Sequence, residues 1–190
     1  MSDEAPWLVV GLGNPGPQYA GNRHNVGFMV VDVLAGRVGG GFKAHKSRCE
    51  VLETRLAGQR AVLAKPRSFM NESGGPVASL AKFFKAPTDR LVVVHDELDL
   101  EPGTVRLKLG GGDNGHNGLK SLRRSLGSGE FYRVRLGIGR PPGRQDPADF
   151  VLRDFAPAQR ADVGVQVETA ADAAEALLRD GLAAAQNNFH

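Results

Sequence analysis

Cysteine is almost absent from this sequence: its 190 residues include one, Cys49. A single cysteine excludes an internal disulfide framework and any zinc motif with several cysteines. Cys49 lies in a predicted strand, without basic neighbours that would clearly lower the pKa of its thiol, and no Gly-x-Ser-x-Gly elbow occurs elsewhere. The sequence therefore offers no covalent nucleophile, and we expect any hydrolytic reaction to use an activated water.

Long apolar runs are also missing. No stretch approaches the roughly 18 apolar residues that a membrane-spanning helix needs. The first residues also lack the basic region and apolar core of a secretory signal. We therefore expect a cytoplasmic protein with no membrane partner. The length and the ordinary composition, with 41% hydrophobic and 24% charged residues, fit a single domain over residues 1–190.

Charge is distributed unevenly along the chain. Segment 104–144 holds nine Lys or Arg residues and two acidic ones, a net charge of +7. Segment 145–190 holds three Arg and eight acidic residues, a net charge of −5. Clustered cations gain affinity for polyanions through phosphate neutralisation and counterion release. The pattern indicates a polyanionic partner, although charge alone is explained equally well by a solvated mixed surface.

The hydrophobic pattern predicts an α/β domain with a mixed, largely parallel β-sheet flanked by helices. Predicted strands cover 8–10, 91–94, 104–109 and 132–138, with a hairpin formed by 47–56 and 60–65. Predicted helices cover 26–37, 76–85, 118–126 and 158–179. The segment 140–147 is rich in proline and glycine and is predicted to be a mobile surface loop. In strand 104–109, we expect the apolar residues on one face and the basic residues on the other.

Asparagine, histidine and glycine are concentrated in a few short segments, at positions 11–16, 23–25, 69–71, 95–99 and 110–118. Amide side chains favour turns and helix ends, so each segment alone has a structural explanation. Asn14 and Asp96, however, directly follow predicted strands. Ligands of such sheets bind beyond the carboxyl ends of the strands. We therefore expect these segments to form one site.

Two cofactor interpretations are disfavoured. Segment 11–16 has the glycine spacing of a dinucleotide fingerprint, but Pro15 and Pro17 prevent the helix that should follow immediately. Segment 95–99 is compatible with a metal site, a solvated acidic turn or a group that orients a base. A hard metal needs several converging oxygens, whereas the neighbouring segments supply amides and glycines. We expect neither a metal nor any other cofactor.

His24 and Asp96 are the best candidates for proton transfer. A carboxylate beside a histidine fixes the imidazole tautomer and raises its basicity, so the histidine can take a proton from water. No local feature proves that the two residues meet, and a lone histidine is more often structural.

Three asparagines, which both donate and accept hydrogen bonds, are candidates for holding a peptide amide, orienting water or stabilising an oxyanion. They are Asn14, Asn71 and Asn117. A helix N-cap is the simpler role for Asn117, which directly precedes a predicted helix, and a core position is the simpler role for Phe69 and Met70.

Together, these segments resemble the bacterial peptidyl-tRNA hydrolase family. The matching motifs are 11–16 with Tyr19 and 23–25, then 65–71, 95–100 and 110–120, in the order and spacing of the family. The similarity runs from about residue 8 to 180. It implies hydrolysis of the ester that joins a peptide to the terminal ribose of tRNA, which recycles tRNA from prematurely released peptidyl-tRNA. It also implies a monomer with one α/β domain and no cofactor.

The resemblance also implies roles for individual residues. His24 would be the general base and Asp96 its partner, with the three asparagines as substrate-positioning amides. Lys108 and Arg135 would hold the 5′ phosphate of the tRNA acceptor stem. The peptide and ribose channel would be lined by Tyr19, Phe69, Met70 and His116. Ser68 stands where threonine is common, and Asp113 places an acid near the phosphate-facing strand. A non-catalytic RNA-binding module is the remaining alternative.

Overall fold

The computed structural model describes residues 4–190, which form a seven-stranded mixed sheet between two layers of helices. The strands are β1 Trp7–Gly11, β2 Lys43–Ala44, β3 Cys49–Leu56, β4 Gln59–Pro66, β5 Leu91–Glu97, β6 Val105–Leu109 and β7 Tyr132–Gly137. Their order in the sheet is β2-β3-β4-β1-β5-β7-β6. The central strands β4, β1, β5 and β7 run parallel, while β2, β3 and β6 pair antiparallel at the two sides. The predicted fold class is thus confirmed.

The helices are α1 Val26–Val38, α2 Gly74–Phe84, α3 Asn117–Leu126, α4 Pro147–Val151, α5 Arg160–Asp180 and α6 Leu182–Phe189. Four of them were predicted to within two residues at each end. The short helix α4 was not predicted, and it begins where the expected loop 140–147 ends. The Asp146 carboxylate accepts from Ala148 N at 3.0 Å, and Pro147 supplies the first helical position. Within the described part of the chain, no helix has both the length and the apolar character needed to span a bilayer.

The core lies on both faces of the sheet. Helices α1 and α5 cover one face, and α2 and α3 cover the other. Strand β5 is buried along its whole length, from Leu91 to Glu97. Its aliphatic half, Leu91–Val94, has the continuous apolar sequence of a parallel strand with helices on both faces. The strand was predicted to end at residue 94, because polar side chains follow that position. This end is wrong, since β5 continues to Glu97 and Asp96 lies within it.

Helix α1 approaches the sheet unusually closely at its first turn. Gly27 packs against the carbonyl oxygen of Val94, and a β-carbon at this position would overlap that oxygen. Gly11 on β1 faces the same turn of α1 and leaves no room for a side chain either. The close approach brings the 3₁₀ turn Arg23–Asn25, which immediately precedes α1, against the carboxyl end of β5.

The C-terminal helix covers the open edge of β6. Gln186 Nε2 donates to Leu107 O at 3.0 Å, and Leu107 N donates to His190 Nε2 at 2.8 Å. These side chains take the place of a neighbouring strand. They form hydrogen bonds with the backbone N–H and C=O of Leu107, which would otherwise be free to pair with another strand. The expected alternation of β6 is correct for Val105 and Leu107, but wrong for Leu109, which is 43% exposed where the strand ends.

Candidate active site

A buried carboxylate holds the histidine of the 3₁₀ turn. His24 Nδ1 lies 2.8 Å from Asp96 Oδ2, across 72 residues of sequence, and the two residues are 7% and 2% exposed. With Nδ1–H donating to the carboxylate, the lone pair of the imidazole is on Nε2. The expected pairing of His24 with Asp96 is therefore present in the geometry, and it leaves Nε2 available to accept a proton.

A second histidine uses the other oxygen of the same carboxylate. His116 Nε2 lies 2.8 Å from Asp96 Oδ1. His116 is the N-cap of α3, and its Nδ1 accepts from Gly118 N at 3.1 Å and Leu119 N at 3.3 Å. Because Nδ1 must be an acceptor, His116 carries its proton on Nε2 and donates it to Asp96. The alternative in which Asn117 caps α3 is therefore wrong, since Asn117 is the first helical residue.

The charges of the triad follow from this arrangement. Burial opposes ionisation of Asp96, but His24 and His116 outweigh it and hold the pKa of the carboxyl well below its usual value. Burial also lowers the pKa of His24, and the charge and hydrogen bond of Asp96 reverse this effect, so the net pKa of His24 is raised. Asp96 is thus ionised at neutral pH and increases the basicity of His24.

Asn14 is held in place by a second asparagine. Asn14 N donates to Asn25 Oδ1, and Asn25 Nδ2 donates to Asn14 O, both at 2.9 Å. The side chain of Asn14 accepts from Met70 N through Oδ1 at 2.6 Å. Its Nδ2 donates to no group in the described part of the chain. Asn14, which is 6% exposed, therefore presents one donor to the site from a rigid position.

The remaining amides and aromatic residues lie around the rim. Asn71 and Asn117 are exposed. Tyr19 and the 53% exposed Phe69 form an edge-to-face pair with their ring centroids 6.2 Å apart. Met70 is buried in the core beneath α2 and α3. The aromatic pair is joined to the polar groups through the chain, because Phe69 precedes Met70, whose N–H is bound to Asn14 Oδ1.

Basic residues share one face of β6 and β7. In the antiparallel register, Arg106 is opposite Arg135 and Lys108 is opposite Arg133, so all four side chains point to the same side. Arg133 is buried and donates to the carbonyl oxygens of Gly111, Gly112 and Gly129, which fastens the glycine-rich loop. Lys108 and Arg135 are half-buried and have no hydrogen-bond partner in the described part of the chain. Burial lowers the pKa of both, and for Lys108 the nearby Arg135 and Arg133 add to the effect.

The acid in the glycine-rich loop is neutralised locally. Asp113 accepts from Arg123 Nη1 at 3.2 Å through one oxygen and from Gly115 N at 3.0 Å through the other. Asp113 lies close enough to β7 to act on the charge of Arg133, as expected for an acid near this strand. Its own charge is paired with Arg123 on α3, and it shapes the loop.

Three polar residues of the site were not predicted to have a role. Asn25 belongs to the motif at positions 23–25, and its place next to His24 in the sequence could have indicated a role in the site. Glu97 accepts from Asn114 Nδ2 at 3.1 Å and joins the glycine-rich loop to β5. His95 donates through Nδ1 to the carbonyl of Asp96 at 2.8 Å, and complete burial lowers its pKa to about 3. His95 is therefore only weakly basic, and its ring is closed off from any substrate, so it is not a candidate for the general base.

Two further chemistries can be judged from the geometry. Ligand atoms of His24, Asp96 and His116 lie within 4.8 Å of one another, which is a donor set that a metal can use. The 2.8 Å separations are hydrogen-bond distances, whereas two ligands of tetrahedral zinc lie about 3.4 Å apart. As placed, these atoms suit proton sharing better than coordination.

Cys49 is buried at the start of β3, and burial raises the pKa of its thiol to about 11, so it remains a poor nucleophile.

A carboxylate-oriented histidine beside a rigid amide donor is an arrangement compatible with a hydrolase. The sequence profile of the family described as peptidyl-tRNA hydrolase matches residues 8–190. The chain belongs to the peptidyl-tRNA hydrolase family, and its activity is hydrolysis of peptidyl-tRNA.

Individual relatives agree with this assignment. The peptidyl-tRNA hydrolase of Frankia casuarinae is 64% identical over 187 residues, which cover 98% of this chain and 95% of that protein. The Mycolicibacterium smegmatis enzyme is 61% identical, with 97% of both chains covered. The crystal structure of the Acinetobacter baumannii enzyme is 34% identical and superposes with a TM-score of 0.90, covering all of this chain and 95% of that one. The alternative of a non-catalytic RNA-binding module is therefore wrong.

Proposed function

We propose that His24 is the general base of the hydrolysis. The observation that supports this most strongly is the buried 2.8 Å contact between His24 Nδ1 and Asp96 Oδ2, which leaves Nε2 free to accept a proton from water. The resulting hydroxide attacks the carbonyl carbon of the ester between the peptide and the ribose. When the tetrahedral intermediate collapses, the bond from this carbon to the ribose oxygen breaks, and the imidazolium returns its proton to the leaving oxygen. Asp96 holds the ring in the correct tautomer and stabilises the imidazolium that forms. A positioned base of this kind contributes about 10²–10⁴ to the rate.

The amides of the site orient the substrate and stabilise the tetrahedral oxyanion. Asn14 is the best placed, because its Oδ1 is bound to Met70 N and its Nδ2 is directed by that bond. The exposed amides of Asn71 and Asn117 at the rim are proposed to bind the peptide backbone. An asparagine amide that hydrogen-bonds the peptide group of the substrate distinguishes peptidyl-tRNA from aminoacyl-tRNA. Aminoacyl-tRNA has no such peptide group, so the asparagine is left without its hydrogen-bond partner.

The tRNA lies over the basic side of the sheet. Lys108 and Arg135 are diagonal neighbours on one face of β6 and β7, and their charges are not paired by hydrogen-bonded acids. Glu97 offsets part of their charge without a hydrogen bond to either one. Two neighbouring cations without a hydrogen-bonded acid favour a phosphate, and we assign them the 5′ phosphate of the acceptor stem. The strand order β6-β7-β5-β1 supports this proposal, because the two cations lie on β6 and β7, Asp96 lies on β5 and Asn14 follows β1. The Tyr19 and Phe69 pair and His116 line the peptide and ribose channel.

The chain acts as a cytoplasmic monomer, and one domain carries the whole function. A single sheet positions every proposed site residue, so no second copy is needed to complete the site. The substrate is a product of translation, which supports a cytoplasmic location. The proposed chemistry requires no metal or cofactor, since His24 supplies the base and the amides supply the donors.

Hydrolysis of an N-blocked aminoacyl-tRNA by His24→Ala tests the base directly. We expect kcat to fall by about 10²–10⁴, while binding of tRNA remains close to that of the unchanged enzyme. The matched control is His45→Ala, which removes a histidine from the turn between β2 and β3 and should keep full activity. Wild-type turnover by His24→Ala would refute the assignment.

The phosphate site is tested by Lys108→Ala and Arg135→Ala over a series of salt concentrations. Each variant should weaken tRNA binding and lower the salt slope of the affinity by about one. Lys43→Ala removes an exposed cation from β2, at the opposite side of the sheet, and should leave both quantities unchanged. An unchanged slope for Lys108→Ala and Arg135→Ala would place the phosphate elsewhere.

A further inference from the structure

Arg23, the residue before His24, makes an unusual set of contacts with a distant segment. Its Nη1 lies 3.2–3.4 Å from the carbonyl oxygens of Phe150, Arg153 and Asp154. The guanidinium carbon lies 4.0 Å from the ring centroid of Phe150 and 5.6 Å from that of Phe155. One planar cation therefore binds both the backbone and the aromatic side chains of segment 150–155, which contains the end of α4.

The backbone reinforces this contact on the same side of the turn. Arg23 N donates to Arg153 O at 3.1 Å. Asn22 and Asp154 form an isolated antiparallel bridge, and Asn22 Nδ2 donates to Asp154 Oδ1 at 2.7 Å. These bonds span about 130 residues of sequence, so segment 150–155 is the outer support of the turn that carries His24.

The inner support of the turn is the contact already described between His24 and Asp96. The imidazole therefore lies between a strand end and segment 150–155. Because the turn contains only three residues, Arg23–Asn25, a displacement of Arg23 is transmitted directly to the His24 ring. Arg23 also lines a cavity of about 390 Å³ together with Phe155 and Gln166, so its loss would leave space into which the turn can relax.

We propose that Arg23 is a positioning residue: its guanidinium fastens segment 150–155 to the His24 turn and so keeps the imidazole in contact with Asp96. Because it acts through the turn, Arg23 needs no contact with the reacting atoms or the substrate. Its role is to maintain the geometry in which His24 Nδ1 donates to the carboxylate and Nε2 faces the water.

The informative variant is Arg23→Met, which keeps the length and apolar character of the stem and removes the donors. We expect kcat for an N-blocked aminoacyl-tRNA to fall about tenfold with KM changed less than twofold. Loosening His24 from Asp96 weakens the effect that raises its pKa, so the acid limb of the pH profile should move to lower pH. NMR titration of the His24 ring should show the same shift without substrate.

Two further variants separate positioning from stability. Arg23→Lys retains a cation that can donate to the three carbonyls, and it should restore kcat to within about threefold of wild type. Arg179→Met makes the same chemical change at an exposed position of α5, outside segment 150–155, and should alter neither kcat nor the pH profile. The proposal fails if Arg23→Met lowers the melting temperature while kcat per folded molecule and the His24 titration stay at wild-type values. It also fails if only KM rises, because Arg23 would then contact the substrate.

Discussion

Replacing Asp96 by asparagine should switch His24 to the wrong tautomer. Both histidines donate to Asp96, at 2.8 Å each, and a carboxylate accepts both protons. An asparagine can accept through Oδ1, but it must donate through Nδ2. One of the two histidines must therefore become an acceptor at its contact with residue 96.

The structure decides which histidine changes. His116 cannot do so, because its Nδ1 already accepts from Gly118 N and Leu119 N as the cap of α3. In Asp96→Asn, the amide oxygen is therefore expected to face His116 and the amide nitrogen to face His24 Nδ1. His24 would then carry its proton on Nε2, where the lone pair is needed for catalysis.

The expected loss is that of the whole base contribution, about 10²–10⁴ in kcat, or about 3–5 kcal/mol of activation free energy. The assay is single-turnover hydrolysis of an N-blocked aminoacyl-tRNA across a pH series. Activity requires neutral His24, so it falls as the pH drops through the raised pKa of this residue. Without the carboxylate, burial dominates, and the acid limb of the residual activity should lie at lower pH.

A double variant tests the tautomer argument itself. Asp96→Asn combined with His116→Ala frees the amide to rotate and present its oxygen to His24, so it should be about tenfold more active than Asp96→Asn alone. Asp99→Asn, an exposed position three residues further on, is the matched control and should stay within twofold of wild type. Activity of Asp96→Asn within threefold of wild type, or no gain in the double variant, would refute the reasoning.

Three further predictions concern other parts of the site. Asn14→Asp keeps the acceptor for Met70 N but removes the free donor, so kcat/KM should fall about 10²–10³ with an unchanged melting temperature; a fall in melting temperature alone would contradict this. Treatment with EDTA should leave hydrolysis unchanged, and loss of activity that a divalent ion restores would revive a metal role for the His24, Asp96 and His116 cluster. His95, with its pKa lowered to about 3, should make the fold less stable as the pH falls below about 6.5, because only the unfolded chain takes up the proton. The His95 contribution is a loss of about 2 kcal/mol between pH 6.5 and 5. It should appear as the difference between wild type and His95→Gln in chemical denaturation, since His24, with its raised pKa, changes stability in the opposite direction in both proteins.

Much of the fold could be predicted because its signals are local. The continuous apolar residues of β1 and β5 and the helical periodicity of α1 and α3 act over a few residues. Helix α4 escaped prediction because it has only five residues and depends on its cap and on Arg23 for support. The end of β5 was misplaced because His95 and Asp96 are polar, and their burial depends on partners from other segments.

The site could be predicted only in part. The motifs identified which residue types come together, and the pairing of His24 with Asp96 followed from the chemistry of a carboxylate and an imidazole. The involvement of His116 with the same carboxylate did not follow, because it depends on where α3 begins relative to β5. The support of Asn14 by Asn25 was equally hidden, since reciprocal amide bonds leave no pattern in the sequence.

By itself, the sequence determined the class of fold, the absence of a reactive thiol, the basic segment 104–144 and the residue types available for catalysis. These depend on composition and short-range periodicity. Only the tertiary structure decided which ring nitrogen of each histidine carries the proton and which cations lack a hydrogen-bonded acid. It also decided how segment 150–155 supports the His24 turn. Hydrogen-bond direction and charge compensation are properties of groups brought together across 70 to 130 residues, and no local rule relates such distant positions.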